Sequence, residues 1–355
     1  MKSKQKIQKY LGPHQVTYVP LRISARFNLP KRAWKLAPGL WIQRLSGQIK
    51  DDLIAAEFKT KPPSAINPNY TIKIDSIAYG NHILTRITNE GKTIPDYHYP
   101  KELNIIGVER INITKMILIA LLLQNNLTFA FAHSYSYKVL PSDIYDKRFI
   151  GLTAHPKEEM SYTWWLSCPS RPSNVISRKV LSKTLDSIER YYRPLTWEVN
   201  RISTALCYFW SALIANEQNQ LFTNLTILLE CLLSTDRQEL AHKISERAAI
   251  ILGKNNNERL TIYKDIKKIY DQRSKIVHGE GVPTRGRLHT EKFIITPKYT
   301  FCPKSLMLKV ISISIDLLNT LLKDDEYVKI VRSAKSEGET DGLLNNLFMK
   351  RLFQC

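Results

Sequence analysis

Apolar and polar positions change period once along this chain. Up to about residue 170 they tend to alternate, and from Asn174 onward apolar residues recur every three or four positions. The longest alternating run is Leu127–Val139, whose odd positions are Leu127, Phe129, Phe131, His133, Tyr135, Tyr137 and Val139. Period two held this long predicts a strand with one packed face. A row of rings can also stack unpaired bases, but its unbroken succession favours packing. Shorter strands are expected at Gln15–Ile23, Leu40–Leu45 and Tyr70–Ile77, and a helix at Ile113–Leu123 with Asn112 as its N-cap. Prolines at 62, 63, 68, 95 and 100 punctuate the loops of this first region.

The second region predicts six successive amphipathic helices: Val175–Tyr192, Val199–Ala215, Leu221–Leu233, Arg237–Leu252, Glu258–Val277 and Lys304–Leu322. Gly253 is the expected C-cap of the fourth. Beyond Asp325 the chain is polar and contains glycine until a short amphipathic stretch, Leu343–Phe353. The expected fold is therefore α+β, a strand-rich mixed α/β domain over residues 1–170 followed by an all-α bundle over 171–324 and a polar tail over 325–355. The boundary is expected at Pro169–Asn174, where the sequence reads PSRPSN.

Charge and composition narrow the function. The chain has 355 residues with 52 Lys+Arg against 32 Asp+Glu, a formal net charge of +20. Residues 1–196 hold 29 basic and 14 acidic residues, and the first 35 hold nine basic residues and no acid. Such a field attracts polyphosphate whatever its sequence, so nucleic acid is the expected partner, ahead of a basic face that only aids solubility. The longest apolar run, Met116–Leu123, falls far short of the ~20 residues needed to cross a bilayer, and the basic N-terminus lacks the apolar stretch of a secretion signal. A soluble, cytoplasmic protein without membrane contact is expected. The five cysteines are scattered and contain no CxxC pair, which fits a reducing compartment and excludes a Cys-based zinc ribbon. His155 and Cys168 lack metal-ligand spacing, and there is no Walker loop, GxSxG or HExxH, so neither metal nor cofactor is expected. His242 and Glu246 read as an i, i+4 surface pair.

The chemistry-bearing segment is IYDQRSKIVHGEG, Ile269–Gly281, at the end of the fifth helix. Arg273 and His278 lie five positions apart, a rotation of about 140° on an ideal helix. They converge only if the helix ends near Ile276 and His278 swings back, for which Gly279 and Gly281 are suited. Alternatively, an Arg and a His here simply serve the helix C-terminus and its dipole.

This segment resembles the HEPN superfamily (higher eukaryote and prokaryote nucleotide-binding), in particular its Apea-like branch. The resembling string runs from Ile269 through Tyr270, Asp271, Arg273, Ser274 and Lys275 to His278 and Gly279, with LLECLLS at Leu228–Ser234 and ISERAAIILG at Ile244–Gly253 before it. It covers about Val199 to Leu322. The resemblance implies a helical bundle and a metal-independent endoribonuclease, working as a homodimer in which two Arg–His pairs face one cleft. It implies products with 2′,3′-cyclic phosphate and 5′-hydroxyl ends, in prokaryotic anti-phage defence or a toxin-like system, with a regulatory partner protein conceivable. His278 is then the acid/base, since histidine can exchange protons near neutrality. Arg273 is the phosphate clamp, since a guanidinium holds two phosphoryl oxygens at once. Ser274 is the polar residue that helps hold them. Glu230 either orients Arg273 by an ion pair or is a solvated helix-edge carboxylate. Lys275, Arg285 and Arg287 are expected to guide the RNA, the last two from a basic loop, 282–304, that otherwise reads as a surface loop. Some HEPN domains keep the fold as binding or dimerisation modules without catalysis, which is the rival expectation.

Overall fold

A computed structural model describes residues 16–21, 33–44, 70–75, 78, 79, 82, 85, 89, 113, 115–123, 130, 131, 137–139, 153, 154, 164, 165, 178–189, 200–213, 215, 218–235, 238–278, 304–334 and 336–353. The chain divides into two compact units, Met1–Trp197 and Glu198–Cys355.

The first unit carries an antiparallel six-stranded sheet in the order β2-β3-β4-β1-β6-β7, built from β1 (Val16–Leu21), β2 (Trp34–Ala37), β3 (Leu40–Arg44), β4 (Tyr70–Asp75), β6 (Tyr137–Val139) and β7 (Thr153–Ala154). A separate pair joins β5 (Ala130–Phe131) to β8 (Trp164–Trp165). Leu40 lies opposite Ile74 and Ile42 opposite Ile72, and all four are buried, which aligns the apolar alternation of β3 and β4 into one packed face. Pro38 and Gly39 turn β2 into β3. Gly39 takes φ +76° and lies so close to Tyr79 that an added Cβ would stand 2.2 Å from the Tyr79 backbone nitrogen. Only glycine fits there.

Helix α1, residues 115–123, is buried from Met116 to Leu123. The eight-residue apolar run is thus a core helix. Asn112, its expected cap, lies outside the described residues. The Leu127–Val139 run is not one strand in one sheet. Its described parts, β5 and β6, pair with different partners in different sheets. Alternation records only which residues face a core, and it reads the same for one long strand as for two short ones.

The domain boundary also moves. Helix α2 (Arg178–Glu189), expected in the bundle, belongs to the first unit. The Arg178 Nε donates to the Lys35 carbonyl at 2.8 Å and the Ser182 hydroxyl to the Leu36 carbonyl at 3.2 Å, so α2 covers edge strand β2. Its buried Leu181, Leu185 and Ile188 show the periodicity that a bundle would also demand, which is why the pattern alone misassigned it.

All described residues of the second unit's elements are helical: α3 (Arg201–Leu213), α4 (Gln218–Leu233), α5 (Leu240–Leu252), α6 (Asn256–Val277), α7 (Lys304–Leu321), α8 (Asp325–Ser333) and α9 (Glu337–Phe353). Helices α3 and α4 pack together, as do α5 and α6, and α4 also touches α5, α6 and α7. Most positions of the expected seams are buried, Ile202, Leu206, Phe209 and Leu213 on α3, Leu225, Leu228 and Leu232 on α4, and Met307, Val310, Ser314, Leu317 and Leu321 on α7, whereas Leu221, Leu240, Ile251 and Ile262 are only half-buried. Gly253 caps α5 in an extended conformation. It is required because an added Cβ would stand 2.5 Å from Arg259 Cγ and 2.8 Å from the Ala249 carbonyl oxygen. The adjacent Asn255 caps α6 by accepting from the Glu258 N–H at 2.9 Å.

The expected polar tail forms α8 and α9, folded onto the bundle. The buried Tyr327 hydroxyl donates to the Leu232 carbonyl at 2.8 Å, and Arg247 Nη1 donates to the Leu233 carbonyl at 2.5 Å. Arg201 Nη1 serves the Ser234 carbonyl, so three successive carbonyls at the end of α4 each receive a side-chain donor. Helix α9 is fixed to the same cluster: Arg201 pairs with Asp341, Arg247 donates to Asn345 at 2.9 Å, and Arg351 pairs with Asp324 at 2.6 Å. Leu344, Leu347 and Phe348, which bury, lie in the expected amphipathic stretch Leu343–Phe353, and what composition did not show is that the polar residues from Asp325 onward are helical as well.

Helix α5 starts at a cost. Its N-cap, Glu239, takes φ 51° and ψ 35°, the left-handed region, and its side chain makes no capping bond. Replacing Glu239 by glycine removes the steric penalty and is expected to raise stability by about 1 kcal/mol or less in urea denaturation with an unchanged m-value.

Candidate functional site

Helix α6 organises the site, because its two faces meet different surroundings. Ile266, Ile269 and Tyr270 are buried against the bundle. Arg273 follows Ile269 and Tyr270 on that inward face. Its Nη2 sits 3.1 Å from Glu230 Oε1 and 3.5 Å from Oε2, joining the end of α6 to the end of α4. The two side chains are 28% and 20% exposed, so the pair is sheltered but open at one side. Of the two sequence readings of Glu230, the ion pair is the one present.

Burial is the main influence on Glu230 and raises its carboxyl above the usual value of 4.5, while Arg273 and then the Tyr270 hydroxyl pull it back in part. The Tyr270 hydroxyl falls short of full hydrogen-bond geometry, and the Arg273 Nε has no partner among the described residues. Tyr270 itself is held far up, by burial first and by the Glu230 charge second, so it remains a neutral phenol. Cys231 is pushed up to about 11 by burial and by Glu230, with Arg201 opposing, and is a thiol rather than a nucleophilic thiolate near neutrality.

The raised Glu230 carboxyl fixes a sign. The folded chain keeps this proton at a pH where the unfolded chain has released it, so the Glu230 contribution to stability declines as pH rises above about 4.5. Glutamine cannot titrate. The stability difference between wild type and Glu230→Gln, from urea midpoints across this range, is therefore expected to shift against the wild type as pH rises.

His278 stands elsewhere. Helix α6 ends at Val277, beside the expected Ile276, and His278 is its C-cap, its N–H bonding the Ser274 carbonyl at 2.9 Å. The first glycine of the segment comes only after His278, so nothing earlier breaks the helical register. His278, about 140° around an ideal helix from Arg273, is exposed, as are Ser274 and Lys275. Within one chain the structure thus brings Arg273 to Glu230 and Tyr270, and among the described residues no hydrogen bond joins His278 to Arg273. Arg285 and Arg287 lie outside the described residues.

Two residues without an assigned role in the motif adjoin the outward face. His242, expected beside Glu246, instead places Nδ1 2.8 Å from the Tyr263 hydroxyl, with the two rings edge to face at 5.8 Å. Lys267 Nζ lies 5.8 Å from the centre of the Tyr263 ring. The short α5–α6 link makes these helices antiparallel neighbours, a pairing that sequence spacing within one helix could not reveal.

Among the described residues no group of three His, Cys, Asp or Glu side chains is arranged to hold a metal ion. No single helix among them is long and apolar enough to cross a membrane. Comparison with protein-family models, curated proteins and solved structures found no match to this chain.

Proposed function

We propose that this protein is a metal-independent endoribonuclease of HEPN type that acts as a homodimer, in a prokaryotic defence or toxin-like setting. The observation that carries the reading is Arg273, fixed by Glu230 at the end of α6 yet a quarter open, with an exposed imidazole five residues on. A guanidinium so held can clamp a phosphoryl group and offset the charge that develops on it. An imidazole can take the 2′-hydroxyl proton or give one to the leaving 5′-oxygen. Because the two groups face different ways on one helix, the reading requires a second copy to supply the His278 that meets each Arg273. The Arg273–Glu230 pair also favours a second reading, in which the arginine only ties α6 to α4 and the bundle binds nucleic acid without cutting it. Incubating the purified protein with RNA in EDTA tests both. Cleavage leaving 2′,3′-cyclic phosphate and 5′-hydroxyl ends is expected, and binding without cleavage selects the second reading.

A further inference from the structure

Among the described residues helix α6 packs against α4, α5 and α7. On its outward side Lys264, Lys267, Lys268 and Lys275 are all exposed, and His278 falls in the middle of the same face. The row from Lys264 to His278 spans about 20 Å, room for several successive nucleotides. The described acids nearest to it on α6 are Asp265, Glu258 and Asp271. Asp265 is held by Lys309 at 2.5 Å, and Glu258 accepts from the Lys254 N–H at 2.9 Å. Asp271 is exposed within the row, one turn from Lys267, Lys268 and Lys275, and offsets part of its charge. Beside the row stands the His242–Tyr263 ring pair, with His242 exposed and Lys267 against the Tyr263 ring. Closely set cations beside accessible rings suit an unpaired strand, whose phosphates need charge and whose bases need a stacking surface. A duplex hides its bases and has no use for the rings.

We propose that the outward face of α6, with the His242–Tyr263 pair beside it, is a docking track for single-stranded RNA that leads to His278. Its direction toward His278 rests on the ribonuclease reading, and its binding does not. The track binds through about three phosphates at Lys264, Lys267 and Lys268 and through one stacked base at the ring pair.

The probe is a fluorescein-labelled 2′-O-methyl-uridine 12-mer, which lacks the attacking hydroxyl and survives the measurement. Anisotropy titrations of the full chain across a salt series give both affinity and the slope of log K against log salt. The triple variant Lys264→Gln, Lys267→Gln, Lys268→Gln is expected to bind at least about tenfold more weakly and to lose about 2 units of slope, near 0.7 for each contact removed. Tyr263→Leu is expected to weaken binding about fivefold or more while leaving the slope intact. A control with the same charge loss at exposed sites elsewhere, Lys179→Gln, Lys183→Gln, Lys323→Gln, is expected to keep the slope. Unchanged affinity and slope in the triple variant, or an equal loss in the control, overturns the track. Equal competition by a duplex overturns it too. A protein that binds the probe through these residues but leaves unmodified RNA uncut ends the ribonuclease reading and keeps the track. One that cuts RNA while the triple variant binds like wild type does the reverse.

Discussion

Under the proposed ribonuclease reading, replacing His278 by alanine is expected to lower metal-free RNA cleavage by about 10²–10⁴-fold, the range for a lost general acid or base, and to leave the fold intact. The imidazole is exposed and ends its helix, so its removal costs little stability. Arg273→Ala is expected to lower cleavage comparably but is a less clean probe, because it strands the sheltered Glu230 carboxylate and is expected to destabilise the chain as well. The two variants together test the arrangement. If each site takes Arg273 from one subunit and His278 from the other, mixing the inactive variants rebuilds one good site in every mixed dimer. Statistical exchange then restores about one quarter of wild-type activity. If both residues act within one chain, mixing restores nothing. Cleavage that survives His278→Ala removes the enzyme from the account, while the bundle stands.

The second large effect is structural. Arg247 is buried and donates to the Leu233 carbonyl, to Thr235 Oγ1 at 2.8 Å and to Asn345 Oδ1 at 2.9 Å, with its guanidinium 5.0 Å from the centre of the Phe348 ring. Truncation to alanine leaves three acceptors without this donor and opens a void beneath Phe348. Each orphaned acceptor costs about 1–3 kcal/mol, so a loss of about 4 kcal/mol is expected, a large part of the stability of an ordinary domain. Arg247→Met refills much of the volume but not the bonds, and is expected to recover only a minority of that loss. Urea midpoints measure both. A loss under about 1 kcal/mol for alanine would show that water replaces the guanidinium and that α9 is not anchored there.

How far the sequence reached depended on how local each feature is. Period and burial agree along α3, α4 and α7, since an amphipathic helix declares its packed face in its own residues. Strands β1, β3 and β4 were legible for the same reason. What escaped was partnership. Nothing in Val175–Tyr192 says whether its apolar stripe meets a bundle or a sheet edge, and the answer lies in Lys35 and Leu36, more than 140 residues away. Strand β2 was missed because Trp34–Ala37 is four residues long and too short to show a period. At the site, Glu230 beside Arg273 was one of two open readings, because an ion pair across two helices depends on their rotation. For His278 the sequence placed the helix end correctly, beside Ile276, but the direction of an exposed C-cap imidazole is set by what meets it and not by the local residues.

The three donors at the end of α4 have an experimental consequence. Leu232, Leu233 and Ser234 immediately follow the turn that carries Glu230, and their carbonyls depend on Tyr327, Arg247 and Arg201, which in turn hold or adjoin α9. A fragment stopped at residue 324 would discard Tyr327 together with Asp341 and Asn345, and the turn bearing Glu230 would fray. A random mutational survey scored by activity would then flag Asp341 and Asn345 as hot spots, although both act only by keeping the backbone of a distant helix terminus in order.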